Sequence, residues 1–167
     1  MQTRLTPKLV LGAAVLAVLA LGACKKSGGK DGDKAEGKAA GPKTVALGKL
    51  GIQAELPSGA EVSEAPIGGG VMIRGEDLVM TIEDGAKKPA DPEKAKEDAS
   101  MYSPQGLKIE KLEGGFVMTF TNKGGMGTNY WLMGRREIEG KAYWCSTTAS
   151  RPEQLENAVK VCKGLKK

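Results

Sequence analysis

An uncharged, mostly apolar run at residues 9–21 lies near the start of the chain and limits how much of the chain can enter a folded domain. Arg4 and Lys8 precede the run and small residues follow it, an order typical of a secretory signal peptide. As a helix the run would rise about 20 Å, too short for the ~30 Å hydrocarbon core of a bilayer. We therefore expect residues 1–23 to be a signal peptide rather than a membrane span or a buried helix.

The run ends in the tetrapeptide LGAC, whose last residue is Cys24. This tetrapeptide resembles the lipobox of bacterial lipoproteins. The resemblance implies that Cys24 carries a diacylglyceryl group on its sulfur, that cleavage falls after Ala23, and that the new amino group receives a further acyl chain such as palmitate. Two or three acyl chains hold a protein stably on a membrane. The alternative is an ordinary secretory signal that happens to contain a cysteine.

The residue after the cysteine, Lys25, bears on the destination. In bacterial lipoproteins an aspartate at this position commonly retains the protein in the inner membrane. The resemblance therefore implies a lipid-anchored protein of the bacterial cell envelope, in the outer membrane if the cell is Gram-negative.

Residues 24–43 are predicted to be a disordered tether. After the cysteine they include no aliphatic side chain larger than alanine, so they cannot bury enough surface to offset the entropy of ordering. Residues 25–43 carry a net charge of +3, whereas residues 44–167 contain 17 basic and 17 acidic residues. Nucleic acid is not an expected partner, because its binding needs a basic folded surface. The tether lysines either contact anionic lipid headgroups or keep the segment soluble.

The chain contains three cysteines. If Cys24 carries lipid, Cys145 and Cys162 remain as a pair, and export places them in an oxidising compartment where a disulfide is expected. A redox-active dithiol is the alternative, although catalytic pairs usually lie close together as C-x-x-C near the start of a helix.

Residues 44–167 are numerous enough for a single domain. Alternating apolar side chains and turn residues predict strands at 50–56, 71–74, 78–83, 107–112, 116–122, 130–138 and 141–148. A glycine-rich loop is expected at residues 123–128. Asp91 before Pro92 predicts the start of one helix, and Ser150 with Glu153 fits a capping box at the start of a second.

The two-residue turn Glu139-Gly140 fixes which residues of its two strands face each other. It places Cys145 opposite Gly134. Because the Cα atoms of a disulfide lie within ~7 Å, the helix that carries Cys162 must cover the sheet face on which Cys145 lies.

The same register puts Trp131, Met133 and Trp144 on the opposite face, with Arg135 facing Trp144 across the strands. These side chains also need cover, and we expect the first helix to supply it. The predicted fold class is therefore α+β: a mainly antiparallel sheet with one helix packed on each face.

Two segments of the domain carry a second resemblance. The opening LGIQAELPSG, residues 50–59, and the closing pattern YWC…PEQL…CKGL, residues 143–165, are similar to PsbP-like domains, the fold of the extrinsic photosystem II subunit P. The resemblance implies an α/β/α sandwich. It also implies a role in binding partner proteins or assisting the assembly of complexes, since members of that fold are mostly not enzymes.

The sequence contains no histidine, which removes the commonest general base, the triads that rely on it, and most catalytic zinc sites. No cofactor or metal is predicted. Five carboxylates are candidates for acid/base work or calcium binding, and the alternative is that they are solvated turn residues, because the EF-hand spacing is absent. They are Glu76, Asp77, Glu83, Asp84 and Asp91. The glycine-rich run after Lys123 lacks the spacing of a phosphate-binding loop.

A possible ligand surface is formed by Trp131, Met133, Arg135 and Trp144. Aromatic and methionine side chains suit a binding groove, and the guanidinium of Arg135 is placed to stack on Trp144. The alternative is that these residues are core beneath the first helix.

These features together predict a lipoprotein held at an envelope membrane by the lipid on Cys24, with a domain that is not an enzyme. The domain would bind a ligand or an envelope protein whose identity the sequence leaves open, or assist assembly. Two alternatives stay open: a carboxylate-dependent envelope hydrolase, and a redox accessory protein that uses Cys145 and Cys162.

Overall fold

The computed structural model describes residues 41–167, so the predicted signal peptide, Cys24 and most of the tether lie outside the described residues. Strands dominate the described part of the chain. In order, its elements are β1 (Lys43–Ala46), β2 (Gln53–Leu56), β3 (Glu61–Glu64), β4 (Val71–Gly75), β5 (Leu78–Asp84), α1 (Pro92–Ala99), β6 (Gln105–Leu112), β7 (Gly115–Gly124), β8 (Gly127–Ile138), β9 (Lys141–Ala149) and α2 (Pro152–Lys163). Short 3-10 helices lie at Gly48–Leu50 and Ser100–Tyr102.

Seven of the strands form one antiparallel sheet in the order β3-β4-β5-β9-β8-β7-β6, and β1 pairs with β2 in a separate sheet. Two runs of hairpins, β3-β4-β5 and β6-β7-β8-β9, make up the large sheet. They are joined where β9 lies beside β5. Strands β6 and β3 are the two edges of this sheet.

The register predicted from the turn Glu139-Gly140 is confirmed: Cys145 faces Gly134 and Arg135 faces Trp144. Both turn residues have positive φ, as a two-residue hairpin turn with the twist of its strands requires. The expected disulfide is also confirmed. Cys145 and Cys162 are bonded with their Cα atoms 6.0 Å apart, and α2 lies on the Cys145 face of the sheet.

The main core lies on this face, between the large sheet, α2 and the two-stranded sheet. Tyr143 helps to join these parts, because its buried hydroxyl donates a hydrogen bond to the carbonyl of Leu50. The largest fully buried aliphatic side chains come from every part of this layer: Leu47, Ile52, Leu56, Ile73, Leu78, Met80, Ile82 and Leu132.

The predicted sandwich with one helix covering each face is wrong. On the core face α2 shares the second layer with the β1-β2 sheet, and on the other face α1 is only eight residues long. Helix α1 packs Ala95 and Ala99 against a small cluster that includes Phe116 and Trp144. Most of the domain is therefore antiparallel sheet, and two short helices leave part of the second face uncovered.

Three local predictions also need correction. The strand expected at 50–56 is shorter, because Gly51 adopts a left-handed conformation that ends the preceding 3-10 helix. The loop expected at 123–128 shrinks to a two-residue turn, because β7 and β8 stay paired up to Gly124 and Gly127. The capping box expected from Ser150 and Glu153 is wrong: Arg151 is the N-cap residue and makes no side-chain capping bond. The backbone N–H of Ser150 instead donates a hydrogen bond to the side-chain oxygen of Gln154 at 3.3 Å.

Candidate ligand-binding groove

An open cavity of about 610 Å³ lies on the second face, beside α1. Strands β5, β9 and β8 form its floor, and α1 with the following 3-10 helix forms one wall. Lys88 and Pro89, from the connection between β5 and α1, close one end. The volume is within the range of sites that hold small ligands.

Hydroxyl side chains line the floor of the groove. Thr81 of β5 faces Ser146 of β9, and Ser146 in turn faces Met133 of β8. Thr148 lies two residues along β9 on the same face and is opposite Trp131. Each hydroxyl can both donate and accept a hydrogen bond, so this row suits a polar, uncharged ligand group.

Trp131 and Met133 form the apolar margin of the groove. The ring of Trp131 lies 4.5 Å from that of Tyr102 and stacks on Phe120 at 5.6 Å between centroids. Its indole N–H donates a hydrogen bond to the Asn122 side-chain oxygen at 3.0 Å. Contacts on several sides therefore hold the indole of Trp131 in place before any ligand arrives.

Trp144 also lines the groove, but it is almost entirely buried and meets Phe116 edge-on at 6.1 Å between ring centroids. The reading of this surface as core beneath the first helix therefore fits Trp144 best. Trp131 and Met133 are half-buried and belong both to the groove and to the cluster under α1.

Arg135, the fourth residue of the predicted surface, does not line the groove but supports one end of it. Its guanidinium donates hydrogen bonds to the carbonyls of Gly85 at 2.8 Å and Lys88 at 3.5 Å, and it pairs with Glu137 at 3.0 Å. Within residues 41–167 it makes no cation–π contact with Trp144. The buried arginine instead ties the β5-α1 connection to β8, and thereby positions the end of the groove.

Two carboxylates, Glu83 and Asp98, line the groove. The sequence indicated Glu83 as a candidate but not Asp98. Glu83 forms an ion pair with Lys88 at 2.8 Å, and its side chain is only 17% exposed. Asp98 projects from α1. The paired Glu83 contributes little net charge at that end, so Asp98 leaves the groove weakly acidic.

The five candidate carboxylates do not converge in one cavity of the described domain. Only Glu83 lines the groove. Asp77 pairs with an arginine at the start of α2, Asp84 accepts a hydrogen bond from a nearby backbone N–H at 2.8 Å, and Asp91 caps α1. Glu76 is exposed in the turn between β4 and β5. This arrangement gives no support to the hydrolase alternative, which requires at least two of the five in one pocket. Between residues 41 and 167 no group of three or more possible metal-binding side chains comes together.

The disulfide between Cys145 and Cys162 has no solvent-exposed surface. Thiol–disulfide exchange needs an attacking thiolate to reach one of the sulfur atoms. The buried position therefore favours a structural role over the redox alternative.

No protein-family model matches the chain, and no curated protein gives a significant match to it. In the part of the chain that the structure describes, no helix is long and apolar enough to cross a membrane.

Proposed function

We propose that this chain is an envelope lipoprotein whose folded domain binds a ligand, or a segment of a partner protein, in the groove beside α1. The observation that carries the proposal is the groove itself, in which a row of hydroxyls lies next to an apolar margin. A ligand would place an uncharged hydrogen-bonding part along Thr81, Ser146 and Thr148. Its apolar part would rest against Trp131 and Met133.

Two properties of the groove favour binding over catalysis. The margin is held in place by the contacts of Trp131, and a preformed site loses little entropy when a ligand arrives. Of the two carboxylates that line the groove, Glu83 is engaged by Lys88, which leaves Asp98 alone for proton transfer, and the sequence contains no histidine.

The membrane part of the proposal rests on the lipobox-like tetrapeptide that ends at Cys24 and on the lysine-rich segment after it. Acyl chains on Cys24 would hold the domain at the envelope membrane, and the outer membrane is proposed for a Gram-negative cell. The tether would let the groove reach an envelope protein near that membrane.

A photoreactive side chain at Ser146 tests the groove in cells that produce the full-length chain. We expect illumination to give one defined covalent adduct from Ser146, because a bound ligand or partner segment would lie within reach. Ser63, on the exposed edge strand β3, is the matched control for a serine outside the groove. A second variant, T81W, fills the floor opposite Ser146 and should abolish the adduct. Equal labelling from both positions, or an adduct that persists in T81W, would contradict the proposal.

A further inference from the structure

The outer edge of β6 is unpaired within residues 41–167, since β6 ends the seven-stranded sheet. A free strand edge presents backbone N–H and C=O groups to which another strand can bond. Charged edge residues usually prevent this, and Lys108, Glu110 and Lys111 are all exposed. A register shift between Gln105 and Lys108 also interrupts the strand. A second strand can therefore pair only along the regular part from Lys108 onward, and only if its charges complement those of β6.

The turn between β6 and β7 determines which backbone groups of β6 point outward. Leu112 and Gly115 flank a two-residue turn and pair with each other, so they form a hydrogen-bonded pair. Hydrogen-bonded and non-hydrogen-bonded pairs then alternate along the strands. Lys108 and Glu110 direct their backbone groups to β7, whereas Ile109 and Lys111 direct theirs to the free edge.

We propose that two copies of this chain pair antiparallel through β6, about a two-fold axis at Ile109. In this register Ile109 faces its own counterpart in a hydrogen-bonded pair. Lys108 of each copy then faces Glu110 of the other in a non-hydrogen-bonded pair, where side chains lie closest. The β6 strand is thus complementary to itself in charge.

Neighbouring registers are unfavourable for the same reason. Centring the axis on Lys108 would set two lysines opposite each other, and centring it on Glu110 would set two glutamates opposite each other. Like charges directly opposite destabilise an antiparallel pair, whereas opposite charges stabilise it. Of these three registers, charge therefore favours the one centred on Ile109.

The charged side chains of β6 are available to pair with a second copy. Among the described residues Lys108 forms no salt bridge, while Glu110 pairs with Lys163 of α2 at 2.6 Å. In the paired sheet Glu110 would lie between Lys163 of its own chain and Lys108 of the second copy. The exposed intrachain pair alone contributes little.

The symmetry of the pairing is compatible with two tethers on one membrane. Rotation about a two-fold axis perpendicular to a sheet does not exchange the two faces of the sheet, so the same face of both copies points in the same direction. The β1-β2 sheet packs on the same face as α2. In the paired sheet both copies of β1, where the chain enters the domain, would therefore lie on one side.

Cysteine substitutions test the register in membranes from cells that produce the full-length chain. We expect I109C to form an intermolecular disulfide on mild oxidation, because the two Cα atoms would lie about 5.5 Å apart. K111C is the matched control on the same free edge. Its two copies would be roughly 13 Å apart along the strands, too far to bond. Equal cross-linking of both variants, or none with I109C, would overturn the proposal.

Charge reversal tests the proposed pairing independently of cross-linking. For the detergent-solubilised chain we expect K108E or E110K to raise the dimer Kd about tenfold or more, since two attractive pairs become repulsive. The double reversal K108E/E110K should restore the dimer. Far-UV circular dichroism spectra like that of the wild type would show that the folds of the single variants are intact, since thermal unfolding itself depends on dimerisation. Dimerisation that is insensitive to either single reversal would contradict the assigned register.

Discussion

We expect replacement of Cys145 and Cys162 together by alanine to lower the free energy of unfolding by about 3 kcal/mol. The bond joins residues 17 positions apart, and closing a loop of about that size removes a corresponding entropy from the unfolded chain. Both sulfurs are fully buried, so the double variant also loses packing between β9 and α2. Urea denaturation of the oxidised wild type and of C145A/C162A measures the difference.

The same disulfide separates a structural from a redox role. We expect the folded wild type to stay oxidised in millimolar glutathione and to become reducible once urea unfolds it. A loss of less than about 1 kcal/mol in C145A/C162A would contradict the structural role. Rapid reduction of the folded protein would favour the redox alternative.

The second large effect is expected at Gly115, the first residue of β7. Substitution by alanine should cost about 3 kcal/mol or more. Its φ of 151° lies in a region that side-chain-bearing residues rarely adopt, and an added Cβ would collide with the carbonyl group of Arg135. Gly115 pairs with Leu112 on one side and Arg136 on the other, so its backbone has no free direction in which to move. Thermal or urea unfolding of G115A measures the loss.

Gly125 provides the control for this substitution. It lies in the turn between β7 and β8, and an added Cβ there meets no atom within 4 Å. We expect G125A to stay within about 1 kcal/mol of wild type. Similar losses in G115A and G125A would show that crowding at Arg135 is not the cause.

The sequence predicted the hairpins well, because a hairpin is specified by its turn and by residues close to that turn in the chain. The turn Glu139-Gly140 alone gave the pairing of Cys145 with Gly134, and from it the face that α2 covers. The start of helix α1 was equally predictable, because Asp91 before Pro92 is a strong start signal. The carboxylate of Asp91 accepts the capping hydrogen bond from the backbone N–H of Lys94 at 3.0 Å.

The overall architecture was not predictable in the same way. Strands β1 and β3 are four residues long and mostly exposed, so neither shows a clear alternation. The contact between β5 and β9 joins residues about sixty positions apart, and no turn specifies it. Without β1 paired to β2, the second layer on the α2 face was assigned to a helix alone, which produced the incorrect sandwich.

The groove was partly predictable from the sequence, because part of its floor belongs to the β8-β9 hairpin. Register in the β8-β9 hairpin places Ser146 opposite Met133 and Thr148 opposite Trp131, so both hydroxyls could have been added to the predicted surface. Thr81 could not, because it reaches the groove only through the β5-β9 pairing. For Arg135 the predicted cross-strand partner, Trp144, was right. The predicted stacking was wrong, because the guanidinium bonds to backbone carbonyls instead.

Membrane fractionation of a C24S variant tests most directly whether this domain works from a lipid anchor. Serine has no sulfur to carry the diacylglyceryl group, so we expect C24S to appear in the soluble fraction while the wild type stays with the membrane. The C145A/C162A variant is the matched cysteine control and should remain membrane-bound. If C24S stays with the membrane to the same extent as the wild type, the lipid anchor on Cys24 is contradicted.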